Sequence, residues 1–144
     1  MAPVNVENIS PNSKIRLVTL KKLAQKILKD FREKGGVNII LVSDNYMRRL
    51  NQRFTKRKGS TDVLSFSFKE NRTPKRNEEF LGEVYVSVDK AGKQAKSYKV
   101  SLNQELKKLV AHGILHLLGY DHRVGKDEEL MRKKEEEYIL PRNK

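Results

Sequence analysis

The run His112-Gly-Ile-Leu-His-Leu-Leu-Gly-Tyr-Asp-His122 organises the reading of this chain, and all three histidines of the protein fall inside it. On a helix, His112 and His116 project from one face a single turn apart. Gly119 follows, the residue type that most readily ends a helix through a left-handed cap. A turn there carries His122 back towards the first two rings. An i, i+4 histidine pair by itself is common on ordinary helix surfaces. The third histidine just past a helix-ending glycine, with none elsewhere, points to three imidazoles converging on one ion with a fourth position open. That is the construction of a catalytic zinc site.

Outward from this motif, composition sets bounds. The chain has 144 residues, a single-domain length, and residues 1–144 are read as one domain. Hydrophobic residues make up 37% and charged residues 34%, as in a globular protein with a heavily charged surface. There is no cysteine, which excludes disulfides and thiolate ligands. The metal ligands are then nitrogen and oxygen, a set that suits zinc and leaves nickel, cobalt and manganese open. No apolar run approaches the roughly 18 residues that span a bilayer. The start, Met-Ala-Pro-Val-Asn-Val-Glu, has neither the basic beginning nor the apolar centre of a signal peptide. A cytoplasmic location without a membrane is expected.

The formal charge is +13, from 31 Lys and Arg against 18 Asp and Glu. A small domain with that balance attracts polyanions, of which nucleic acid is the commonest in a cytoplasm. A lysine-rich surface kept for solubility or heat tolerance has the same composition.

Residues 3–8 alternate as a short strand. Residues 16–34 carry Leu17, Leu20, Leu23, Ala24, Ile27, Leu28 and Phe31 at helical spacing, with Gly35-Gly36 as the expected stop. Residues 37–42 read as a buried strand. Ser43 and Asp44 are capping residues for a helix over about 45–54. A basic loop then leads into a strand over 61–68. Residues 69–79 read as a mobile surface loop, and 80–88 return to strand character with Val84, Val86 and Val88 on one side. A helix is expected over 89–98. Another, capped by Asn103, carries the first two histidines, and a last covers about 126–140 until Pro141 stops it. The order β-α-β-α-β-β-α-α-α predicts an α+β fold, a small mixed sheet of about four strands covered by about five helices.

A metal on three neutral imidazoles lowers the pKa of a bound water to near 7 and polarises carbonyl or phosphoryl oxygens. The spacing H-x3-H-x2-G-x2-H is that of metzincin proteases, which place a glutamate general base after the first histidine. Here that position is Gly113. Peptide hydrolysis needs a positioned acid for its amine leaving group, so the protease reading loses its proton shuttle. Asp121 and Glu83 are the candidate substitutes, Asp121 being better placed to orient a histidine or cap the turn. An RNA phosphodiester asks less, since metal and arginine meet its transition-state charge. Arg48, Arg49, Arg53, Lys56, Arg57 and Lys58 cluster before the third strand. They form either a phosphate-gripping wall beside the metal, with Arg53, Lys56 and Arg57 as its candidates, or a solvated helix face and loop.

The run from Glu105 through His122 resembles the signature of the YbeY family of bacterial metal-dependent endoribonucleases. Ser60-Thr-Asp-Val-Leu-Ser-Phe66 and Leu81-Gly-Glu-Val-Tyr-Val-Ser87 resemble two further blocks of that family. The likeness runs from about residue 37 to 140. It implies a zincin-like fold and zinc on His112, His116 and His122. It also implies single-strand-specific RNA cleavage in ribosomal RNA maturation, at the 3′ end of the small-subunit RNA, and in ribosome quality control. The family commonly has arginine directly after the aromatic residue that here is Phe54, where this chain has Thr55; Arg53 or Arg57 would replace it. Ser60 and Ser67 stand where prolines are usual. Two alternatives remain beside a zinc endoribonuclease: a metal-dependent peptidase or amidase, and a non-catalytic RNA-binding ribosome assembly factor with a bound metal.

Overall fold

The computed structural model describes residues 2–68, 79–119 and 125–139. Its elements follow the predicted order: β1 (Val4–Asn8), α1 (Leu17–Asp30), β2 (Gly36–Val42), α2 (Asp44–Thr55), β3 (Val63–Ser67), β4 (Phe80–Ser87), α3 (Val88–Tyr98), α4 (Leu102–Leu117) and α5 (Gly125–Ile139). The sheet order is β1-β2-β4-β3. The first three of these strands run parallel and β3 is antiparallel to β4. The α+β expectation of four strands and five helices is borne out.

Strand alternation sends the two faces to different cores. Val37, Ile39 and Leu41 of β2 join Val84 and Val86 of β4 under α1, α3 and α4, where Leu20, Ile27, Leu106, Val110 and Ile114 are buried. On the other face Ile40 and Val42 meet Met47 of α2, with Tyr46, Leu50, Leu64 and Tyr85 around them. The central helix is α4, buried along Leu106, Leu109, Val110, Ala111, Gly113, Ile114, Leu115 and Leu117. It also buries the Glu105 carboxylate, whose Oε2 has no hydrogen bond and lies 3.6 Å from the Lys108 ammonium. Burial pushes that carboxyl above its ordinary range, and Lys108 offsets this only in part.

Several predicted boundaries move. The first helix stops at Asp30, short of Gly35-Gly36, because Arg32 takes the left-handed conformation (φ 53°). Its N–H donates to Lys29 O, and that of Glu33 to Leu28 O at 2.9 Å, a Schellman cap closed without glycine. Ser101, not Asn103, caps α4, accepting from the Gln104 N–H at 3.1 Å. Ser101-x-x-Gln104 is the capping-box spacing that could have revealed it. Asn103 instead accepts from the Arg16 N–H. Val88 is buried but opens α3 and does not extend β4. The loop expected over 69–79 lies, but for Glu79, outside the described residues, as does Pro141.

Candidate metal centre and cleft

His112 and His116 sit in the last two turns of α4, separated by about 6 Å along the axis. Leu115 and Ile114 beside them are fully buried. Packing of these neighbours therefore fixes which way the histidine face points: both rings line one cleft of about 680 Å³. The helix ends at Leu117 as expected, with Gly119 just beyond it at φ +108°. His122 and Asp121 lie outside the described residues.

Nδ1 of His112 lies 2.7 Å from Oε2 of Glu135, a residue of α5. Both side chains are largely buried. With the carboxylate accepting from Nδ1–H, the lone pair is left on Nε2, the tautomer a metal needs. Sequence reading missed Glu135, which is one of several glutamates on a mostly charged helix. Only the packing of α5 on α4 singles it out. Among the described residues no group of three or more His, Cys, Asp or Glu forms a metal cage. The described donors are two imidazoles, one of them held by a carboxylate. Imidazole donors, one of them oriented through its Nδ1, are of the chemical kind that suits zinc.

Gly113 explains the missing protease glutamate. A Cβ built there would lie 2.5 Å from Val84 Cγ1 and 3.1 Å from Ser65 Oγ. Ser65 Oγ donates to the Gly113 carbonyl at 3.0 Å. The helix is drawn so close to β3 and β4 that this position holds no side chain. Glu83, the other candidate base, faces the opposite side of the sheet. It lines a separate cavity with Asn5, Glu7 and Asn38, and it accepts from the Tyr85 hydroxyl at 3.3 Å. Burial, and then the Glu83 charge, push that phenol up to about 12. Glu83 therefore does not line the histidine cleft.

Arg57 and Lys58 also line this cleft. Of the basic residues proposed from sequence, Arg57 lines it. Lys56 is exposed and takes the left-handed conformation (φ 64°) that turns the chain at the end of α2. Arg53 and Arg49 point to the outer side of α2, and Arg48 pairs with Asp44 at 3.4 Å. The loop is held by polar contacts. Thr55 Oγ1 donates towards Asn51, 2.6 Å from its backbone carbonyl and 2.7 Å from Oδ1, and accepts from the Arg57 N–H at 3.3 Å. The Asn51 amide donates to the Gly59 carbonyl at 3.2 Å. Thr55, where arginine was expected, thus aligns the backbone that carries Arg57. The Ser60 and Ser87 hydroxyls both donate to Oδ1 of Asp44. Burial works against ionisation of Asp44, but these hydroxyls and the charges of Lys90 and Arg48 hold its carboxyl below the usual range.

Residues 5–142 match the family model described as Endoribonuclease YbeY. A protein of that name from Syntrophotalea carbinolica is 35% identical over 133 residues, 92% of this chain and 89% of the relative. One from Syntrophus aciditrophicus is 36% identical over 141 residues, 95% of this chain and 88% of the relative. The solution structure of TM1509 from Thermotoga maritima superposes with a TM-score of 0.68 at 33% identity, covering 95% of this chain and 87% of that one.

Proposed function

The chain belongs to the Endoribonuclease YbeY family, and on that premise we propose that it is a zinc-dependent endoribonuclease. Its substrate in this reading is single-stranded ribosomal RNA, cut in maturation of the 3′ end of the small-subunit RNA and in ribosome quality control. The work takes place in the cytoplasm at the ribosome. No helix among the described residues is long and apolar enough to cross a membrane. The observation that carries the reading is one cleft lined by His112 and His116 of α4 together with Arg57 and Lys58 of the loop after α2.

His112, His116 and His122 would hold the ion. When bound there, zinc supplies Lewis acidity towards a phosphoryl oxygen and acidifies water. Glu135 keeps the proton of His112 on Nδ1. Arg57 and Lys58 grip the phosphate backbone and offset the charge that grows on it during cleavage. Thr55 and Asn51 hold the loop that presents them. The peptidase alternative loses support from the geometry, since Gly113 admits no side chain and Glu83 faces away.

The test is cleavage of single-stranded ribosomal RNA by zinc-loaded protein against His116→Ala prepared identically. Cleavage by the wild type alone, with the variant folded and still binding RNA, is expected. Equal cleavage by both overturns the mechanism. Salt-sensitive RNA binding without cleavage by either moves the reading to a non-catalytic assembly factor.

A further inference from the structure

Helix α2 presents two different surfaces. Asn51 and Thr55 face the histidine cleft, whereas Tyr46, Arg49, Arg53 and Phe54 line a separate cavity of about 320 Å³ on the outer side. Phe54 is 56% exposed. Its ring is nevertheless fixed from behind: it meets Phe66 edge-on at 5.4 Å, and Phe66 meets Tyr85 in the same manner at 5.7 Å. The Arg53 guanidinium lies 5.4 Å from the Phe54 ring centre, and that of Arg49 lies 5.9 Å from Tyr46. Of the acids in this region, Asp44 pairs with Arg48, and Glu83 accepts from the Tyr85 hydroxyl behind the stack.

An exposed ring backed edge-on by Phe66, with the Arg53 guanidinium over it and Arg49 in the same cavity, suits a nucleobase and its phosphate better than an apolar protein surface. Stacking on the ring is indifferent to base identity, and the arginines neutralise the backbone. The +13 charge of the chain favours the same ligand. The body of α2 separating the two surfaces is only about 10–12 Å across. A strand lying in the cleft reaches Phe54 by passing over the last turn of that helix.

We propose that Phe54, backed by Phe66 and flanked by Arg53 and Arg49, is a nucleobase-stacking subsite for single-stranded RNA. It takes a base flanking the scissile phosphate. The inference rests on reading the histidine cleft as a ribonuclease site, and adds to it a surface outside that cleft.

The chain has no tryptophan, so Phe54→Trp places a lone indole at the subsite. In a His116→Ala background, which leaves the RNA uncut, the protein is titrated with an unstructured oligoribonucleotide and with an abasic strand of equal length. Binding is followed separately by anisotropy of labelled RNA. Saturable quenching of Trp emission by the base-bearing strand, but not by the abasic one, is expected. Phe54→Ala in the same background should weaken binding of the base-bearing strand roughly 5- to 100-fold and leave the abasic strand unchanged. RNA binding with unchanged emission overturns the subsite and reassigns the ring to a protein contact. Equal weakening for both strands also overturns it, showing that Phe54 acts through fold or charge. If the wild type binds no RNA, the ribonuclease reading itself falls, and the subsite with it.

Discussion

On the histidine wall of the cleft, α4 buries Leu109, Val110, Ile114 and Leu115 against the sheet, and the rings of His112 and His116 are placed by that burial. In the loop after α2 that lines the same cleft, residues 56–59 are exposed, and the segment carrying Arg57 and Lys58 is held by a hydrogen bond from the Asn51 amide and by bonds it donates to Thr55 and Asp44. Apolar packing is dense and admits few alternatives. A handful of polar contacts, each contributing about 1 kcal/mol net, leaves a segment that opens locally at low cost. The difference suits the proposed chemistry. A metal site needs fixed donor geometry, whereas a wall gripping a flexible polyanion gains from being able to adjust.

The contrast can be broken most forcefully at Gly113. Gly113→Ala places a methyl group 2.5 Å from Val84 Cγ1 and is expected to destabilise the fold by about 1–3 kcal/mol. Val84→Ala makes room, so urea denaturation of both single variants and the double should give a favourable coupling of about 1 kcal/mol. Strict additivity would mean that the helix does not depend on this close approach. A smaller effect, confined to the site, is expected at Glu135. Glu135→Gln should lower zinc affinity about 10- to 100-fold with little change in unfolding, read by competition with a chelating dye. Unaltered affinity would mean that the carboxylate does not orient His112.

The loop carrying Arg57 and Lys58 responds most gently. Asp44→Asn should cost about 1 kcal/mol at pH 7 and speed hydrogen exchange across residues 56–60, while the histidine helix stays protected. The folded-state pKa of Asp44 is depressed, so its stabilisation is complete above the unfolded carboxylate value of about 3.9. It is lost as pH falls through the lower folded value. The stability gap between wild type and Asp44→Asn should therefore be full at pH 7 and shrink in strongly acidic solution. A gap that widens on acidification would contradict this assignment.

What could be read from the chain divides along the same line. Periodicity revealed the order of all nine described elements, and histidine spacing placed His112 and His116 on one helix face, because both follow from local repeats of the backbone. Glu135 was illegible, since its partner lies on another helix and nothing local separates it from Glu136 or Glu137. The roles of Thr55, Asn51 and Asp44 were equally hidden, for they depend on how a loop folds back on the helix before it. Glu83 was misplaced for a simpler reason: the alternation of β4 sends it to the face away from α4. The end of α1 was set too late because glycine was taken as the stop, while Arg32 accepts the left-handed turn itself.

The close seat of α4 at Gly113 also limits what this scaffold can become. A hydrolase with a glutamate after its first histidine is one substitution away on paper. Here that substitution meets Val84 and Ser65 before it reaches any substrate. A lineage moving towards peptide chemistry would have to reshape the sheet first, through intermediates weakened in folding. The descent of this helix onto the strands works as a ratchet against exchanging one reaction for another.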